Sequence, residues 1–496
     1  MSLHASLSSE ARHRLFSQRR RSTLTSIIIA LLVMLLVGVI LLIINLATPK
    51  EAPSIVTYRG EPLEEKPINP DKVNVSIKRK PTPPSKSSAA RQIVADVSSP
   101  VAVPIPPVET LNAVTAIGSD GNFGEGFYGN DNGQGIFNNI PTTFRKRCSQ
   151  ADRLQRLQES GGTPECEEAV VKALRWLKET QNNDGSWTNQ YQVGMTGLAL
   201  LAYLGHCETA QSEEFGETVL AAMTYLVDKA MSNNGRMAAD FKNNHWCYEH
   251  AIATYALAEA FTLTRAFGEH IAGLEDAVLS SGQFLINSQH ESGGWDYGYA
   301  EDSSRGGDLS IVGWHLQALK ACMLTGLEFK NLNRAAKEGL KYVESCQLAS
   351  GAMGYTGPNL GGGRDGTSLA AVGALVNQMW KGNTRVATKA CRFIDKTMKF
   401  DWHTGDSDLY GHYYAAQAMM NFGGEAWDRY NERLLQQVLP NQAEDGSFLP
   451  VAKGGAVNAP VATFAEDNPF ATHYRTCLAT LMLEVYYRYL PTISAK

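Results

Sequence analysis

The sequence predicts an all-α protein: a single α/α-toroid of about six helix pairs, preceded by one transmembrane helix and a disordered linker. Three observations carry this. An unbroken apolar run lies close to the N-terminus. A Pro-rich and then Gly-rich stretch follows it. Beyond about Cys148, helices with one charged face alternate with helices that are apolar nearly all round, and a short motif recurs between them.

The apolar run is Ile27–Ile44, IIIALLVMLLVGVILLII. It is long enough to cross a bilayer core as a helix and has no polar face. Arg12, Arg14, Arg19, Arg20 and Arg21 precede it, whereas only Lys50 and Glu51 follow closely. The positive-inside rule therefore keeps residues 1–23 cytoplasmic, assigns 24–47 to the span, and exports the rest into the periplasm or an equivalent exterior space. The alternative is a cleaved signal peptide. Its apolar region would be shorter, and Asn45-Leu46-Ala47 is a poor cleavage site.

Residues 48–145 read as a linker. The first part carries PTPPSK and VAVPIPPVE, which cannot bury enough apolar area to offset ordering entropy. The Gly/Asn-rich part, Gly118–Asn139, has no Lys-Ser/Thr after it and no strand before it, so it does not read as a phosphate loop.

Residues 146–491 form the predicted toroid. Trp176-Leu177 is followed by Gln181, Gly185 and Trp187. Phe284-Leu285 is followed at the same offsets by Gln289, Gly293 and Trp295, and Tyr342-Val343 by Gln347 and Gly351. Gln442, Gly446 and Phe448 keep the second half of the pattern. Weaker copies begin at Tyr225-Leu226 and Phe393-Ile394, with Ala230 and Met398 at the Gln position. The spacing gives about six units of roughly 45–60 residues, enough for two helices each. Segments such as TGLALLAYL and TSLAAVGAL belong inside, and striped ones such as NRAAKEGLKYVESCQ outside. The last pair is as apolar as the middle ones, so closure into a ring is expected in place of a capped solenoid. In the motif, Gln is expected to hydrogen-bond backbone at the helix C-terminus, Gly to supply a positive-φ turn, and Trp to cover the neighbouring unit. These are structural roles.

The formal net charge is -5 and no long basic run occurs outside the N-terminus, so nucleic acid is not an expected partner. Eight cysteines are present without a Cys-x-x-Cys pair. Some could pair outside the cytoplasm and others serve as small core residues; spacing does not assign the pairing.

The repeat (aromatic-aliphatic, x3, Gln, x3, Gly-x-Trp) resembles the QW repeat of squalene–hopene cyclases and of protein prenyltransferase β subunits, over roughly Glu168 to Pro491. It is most similar to uncharacterised bacterial proteins with prenyltransferase/squalene-oxidase repeats, as in ALRWL at Ala173–Leu177 and LEVYY at Leu483–Tyr487. The resemblance implies the toroid and brings no established activity. Cyclases of that kind protonate an alkene with a strong, positioned acid in a dry cavity, supplied by Asp-x-Asp-Asp at an inner-helix start. Asp406-Ser407-Asp408-Leu409 is the nearest match, with Asp408 on the proton donor and Leu409 in place of the final Asp. The other reading of Asp406 and Asp408 is helix capping, as for Asp308 before Ile311. Such cyclases enclose their cavity between two barrels, and this chain has residues for one. Zinc prenyltransferases need Asp-x-Cys and a later His; Tyr410 and Arg475 stand there instead. His245 and His250 diverge by about 140° on a helix, so no metal site is expected there. No cofactor motif is present.

What remains is a mouth at the inner-helix ends, with His245, Asp308, Trp314, Tyr410, His412 and Tyr414 as candidate lining residues. The expected function is a membrane-anchored binding or assembly module, engaging an apolar or isoprenoid ligand or another envelope protein. A terpenoid-cyclase-like enzyme using Asp408 is the alternative, and a carbohydrate-active α/α barrel the third reading.

Overall fold

The computed structural model describes residues 147–299, 305–360, 366–450 and 470–488. The predicted span and the linker lie outside them. Among the described residues no helix is long and apolar enough to cross a membrane, and the only extended pairing is two isolated bridges, Gln347 with Met353 and Gln442 with Phe448. Everything else that is regular is helical.

A short helix, α1 (Gln150–Glu159), comes first. Outer helices α2 (Pro164–Glu179), α4 (Gly216–Ser232), α6 (Leu274–Asn287), α8 (Leu332–Ser345), α10 (Arg385–Thr397) and α12 (Gly424–Val438) alternate with inner ones. The inner helices are α3 (Gln192–Gly205), α5 (Trp246–Ala266), α7 (Leu309–Leu324), α9 (Thr367–Lys381), α11 (Leu409–Phe422) and α13 (Ala471–Leu483), with a final turn, α14 (Val485–Arg488). Each inner helix packs on the next, and α13 packs on α3, so the ring is closed.

Burial follows the chemistry of each helix. In α10 only Ala387, Ala390, Cys391 and Ile394 are buried, one stripe at i, i+3, i+4 and i+7. In α3 every residue from Val193 to Gly205 is buried. A helix without a polar face gains most by being enclosed on all sides, and only the inner layer offers that. The sixth inner helix begins at Ala471, earlier than the apolar run from Thr476 suggests. Its polar first turn, with His473 and Arg475, is buried against neighbouring helices and so escapes a reading based on hydropathy.

The repeat motif proves to be the joint between units. Gln181 Nε2 donates to Gly185 O at 3.0 Å and to Thr218 O, in the next outer helix, at 3.0 Å. Gln289 repeats this on Gly293 and Ala335, both at 2.8 Å, and Gln347 reaches Val386 O at 2.9 Å. Gln442 donates to Gly446 O at 3.0 Å and to Ala169 O, in α2, at 2.8 Å. That last bond ties the end of the chain to its first pair. The expectation that Gln serves its own helix C-terminus is therefore corrected. The indole does that: Trp187 Nε1 donates to Leu177 O and Trp295 Nε1 to Leu285 O, each at 2.8 Å. Trp176, by contrast, is only half-buried at the end of α2.

The glycine of the joint is required twice over. Gly185, Gly293, Gly351 and Gly446 all have φ between 89° and 105°. A Cβ at Gly446 would stand 2.3 Å from Lys172 O, and one at Gly293 2.4 Å from Glu338 O. The turn sits directly on the backbone of the next outer helix. At the most degraded copy the bonding is reversed: Arg433 and Gln437 of α12 reach back to Met398 O (2.8 Å) and Trp402 N (2.9 Å).

Cys148 and Cys207 form a disulfide, and the other six cysteines are buried free thiols.

Gly446→Ala is expected to lower the unfolding free energy by roughly 2–4 kcal/mol, because strain and a backbone clash add. Gly268→Ala, at φ 72° with open space around it, should cost only about 1 kcal/mol. Urea titrations of both variants check this; equal losses would remove the steric part of the argument.

Candidate functional site

All six inner helices start at the same end of the ring. The carboxylate of Glu249, in the first turn of α5, accepts from Val193 and Gly194 N–H at the start of α3 (3.1 and 3.2 Å). His473 Nε2, at the start of α13, lies 3.0 Å from Met195 O. Ser368, at the start of α9, donates through Oγ to Asp408 Oδ2 at 2.6 Å.

This mouth has a floor. Tyr248 of α5 and Tyr410 of α11 meet over Ser310 of α7: Tyr248 Oη is 2.7 Å from Ser310 Oγ, and Tyr410 Oη donates to Ser310 O at 3.0 Å. A layer below, Tyr413 Oη donates to Gln317 Oε1 at 2.9 Å and Gln317 Nε2 to Tyr414 Oη at 3.1 Å. Trp314 stacks on Tyr413, with ring centres 5.2 Å apart. These bonds run from α7 to α11, passing α9, so side chains span the lumen at both levels. Trp314 and Tyr414, expected to line a cavity, are 1% and 0% exposed. Their long apolar bodies are better satisfied by one another than by a void.

The expected carboxylate pair is separated by environment. Asp406 is exposed, while Asp408 is half-buried. Asp408 occupies the N-cap position of α11 but makes no side-chain cap bond; Ser368 takes its Oδ2 instead. Beside it, Arg475 of α13 donates to Leu449 O (3.0 Å), Ser407 O (3.3 Å) and Ser407 Oγ (2.8 Å). Its guanidinium lies 4.3 Å from the Trp402 ring centre. Burial lowers the Arg475 pKa to about 10, the negative charge of Asp408 acting in the opposite direction. Arg475 therefore remains a cation at neutral pH. Asp308 does cap its helix, accepting from Ser310 N at 2.9 Å, and pairs with Arg305; burial pushes its pKa up.

His412 is a strut. Its Nδ1 lies 3.0 Å from Tyr430 Oη, its Nε2 3.2 Å from Asp406 O, and its ring stacks on Phe400 at 3.8 Å. His245 is exposed at the rim, where partial burial lowers its pKa and leaves it neutral. It belongs to an aromatic arc that the sequence reading only partly gathered. Phe470 meets Tyr191 edge-on at 5.3 Å, Tyr191 meets His245 at 6.5 Å, and His245 meets Tyr297 at 5.2 Å and Tyr248 at 6.3 Å. Ser310 and Ser368 were also missed as site residues. The available signal was that both are the second residue of an inner helix, in LSIVG and TSLAA.

Among the described residues no group of three or more His, Cys, Asp or Glu side chains is arranged to hold a metal. Cys247 and His250 are buried apart from exposed His245, and His250 Nδ1 accepts from Met237 N–H at 3.2 Å.

No known protein-family pattern and no curated protein matches the sequence. Among solved structures, the apo type II terpene cyclase MstE from Scytonema aligns at 11% identity with a TM-score of 0.42, over 64% of this chain and 97% of that one. MstE in complex with geranylgeranyl dihydroxybenzoate aligns at 11% identity and 0.44, over 66% and 98%. A protein from Actinoplanes aligns at 15% and 0.41, over 65% and 99%. At these values the likeness assigns no activity.

Buried ionisable groups give the ring a definite pH response. Burial lowers His250, His315 and His412 to about 3 and His473 to about 4, from 6.5. Their contribution is full above pH 6.5 and is lost as pH falls towards the folded values. Burial raises Glu249 and Glu269 to about 7 and Glu484 to about 8, from 4.5. Their contribution is full below pH 4.5 and is lost as pH rises. Each group acts with about 1.4 kcal/mol per pH unit. Four histidines against three glutamates nearly cancel between pH 6.5 and 4.5. Below 4.5 the raised glutamates no longer oppose, Glu167, which the fold lowers to about 2, acts with the histidines, and stability should fall steeply with pH. Melting temperatures across pH 3–8 test this; a curve that stays level down to pH 3.5 would contradict the buried neutral histidines.

Proposed function

We propose that this protein is a membrane-tethered binding module, which engages its ligand at the inner-helix mouth and performs no chemistry inside the ring. The observation that carries this is the set of side-chain bonds between α7 and α11, which cross the ring where a reaction cavity would lie. Tyr191, His245, Tyr297 and Tyr248 offer flat, neutral faces at the rim, with Phe470 buried behind Tyr191. Such faces suit an apolar or sugar-like ligand, or an aromatic-rich surface of another envelope protein. The disulfide fits a toroid held in an oxidising space outside the cytoplasm, in keeping with the apolar run at Ile27–Ile44. A chain lacking residues 1–47 is expected in the soluble fraction and the full chain with membranes; equal partitioning would remove the tether.

Terpenoid-cyclase-like chemistry is the second reading. It is favoured by Asp408 itself, half-buried at an inner-helix start with Tyr474 close enough to feel its charge. Against it, the Asp-x-Asp-Asp pattern is incomplete, with Leu409 where the final Asp would stand. Incubation of the purified full chain with squalene and with prenyl diphosphates, beside Asp408→Asn, decides between them. No cyclised product is expected from either protein. A product made by the wild type and absent from the variant would establish the enzyme and overturn the binding module.

A further inference from the structure

The opposite end of the ring, where the inner helices finish, is closed by a segment that belongs to no helix pair. Arg147 is fully buried there and pairs with Glu259 of α5 at 2.7 Å. Glu259 also pairs with Arg488 at 3.3 Å, and Arg488 with Glu484 at 3.5 Å. Arg488 Nη1 donates to Leu201 O near the end of α3 at 3.0 Å. Arg153 in α1 donates to Arg147 O and to Glu167, both at 2.8 Å. His206 lies 3.1 Å from the same glutamate and 2.7 Å from Glu208. The residue next to Arg147, Cys148, is bonded to Cys207, just past the end of α3.

The apolar packing of this segment is thin. In α1 only Arg153 and Leu157 are buried, behind buried Arg147, Cys148 and Ser149, so the segment is held mainly by polar contacts, which last only while each buried charge keeps its partner. The covalent link, which spans 59 residues of chain, supplies what the packing lacks.

We infer that residues 147–159 form a stopper over the C-terminal end of the ring, latched by the Cys148–Cys207 disulfide and released by a dithiol reductant. A dithiol delivers two electrons and two protons: the Cys148–Cys207 bond breaks, each sulfur becomes a thiol, and the reductant closes to its own disulfide. Cys207 is partly exposed whereas Cys148 is buried, so attack falls on the Cys207 sulfur. The six other cysteines are free thiols in both states, and reduction changes this bond alone. Once the link is broken, water can solvate Arg147 and the anions it faces, and the segment is free to leave.

The test is hydrogen exchange on the full chain, oxidised and after dithiothreitol, with alkylation confirming both thiols. Amides in 147–159 are expected to lose protection by about a hundredfold, while those of α5, α7, α9 and α11 are unchanged. A Cys148→Ser/Cys207→Ser chain should match the reduced pattern without reductant. Glu167→Gln, which removes the ionic partner of Arg153 and His206 but keeps the disulfide, should alter 147–159 less than tenfold. Unchanged protection after confirmed reduction overturns the latch. So does release by Glu167→Gln with the disulfide intact, or loss of protection across all inner helices together.

Discussion

The constraint on which the rest depends is the contact between each unit's turn and the backbone of the next outer helix. A glycine without a Cβ lets the turn touch that backbone, and a carboxamide then adds a hydrogen bond to a carbonyl in the first turns of that helix. Gly446 and Gln442 make this contact on α2, so the last unit treats the first as its neighbour. A ring built this way has no free end, and the apolar inner helices have nowhere to be except inside. Arg433 and Gln437 show that the joint can be made from the other side when the motif has decayed. The geometry of approach is what is kept; the residue that supplies the bond is exchangeable.

Closure has a consequence for function. Six helices drawn together by this joint leave a lumen narrow enough for side chains to cross, and Tyr413, Gln317 and Tyr414 do cross it. Tyr248 and Tyr410 complete the floor above them. Aromatic residues that would line a cavity in a wider barrel here become the core. The proposed recognition surface is the rim, where His245 is exposed and Tyr191, Tyr248 and Tyr297 are half-buried.

The two ends of the ring are electrostatically unlike. At the inner-helix starts, charge is paired locally: Asp308 with Arg305, and Asp408 beside Arg475 with Ser368 on one oxygen. At the other end four fully or almost fully buried ionisable groups, Arg147, Glu259, Arg488 and Glu484, are enclosed together. Burying them is costly unless every partner stays in place. Covalent retention of Arg147 through its neighbour Cys148 answers that cost directly.

By itself the sequence determined that the protein is all-α, which helices carry a stripe and which are apolar all round, and where the turns with positive φ fall. These properties reside in local periodicity and in glycine, and need no knowledge of partners. Only the tertiary structure decided the rest. That Gln442 reaches Ala169, that Cys148 pairs with Cys207, that Asp408 is held by Ser368, and that Tyr248 meets Tyr410 over Ser310 are all contacts between residues distant in the chain. Whether a ring of aromatic side chains encloses a cavity or fills it depends on how closely the helices approach. That distance is set by joints between units, which no single segment encodes.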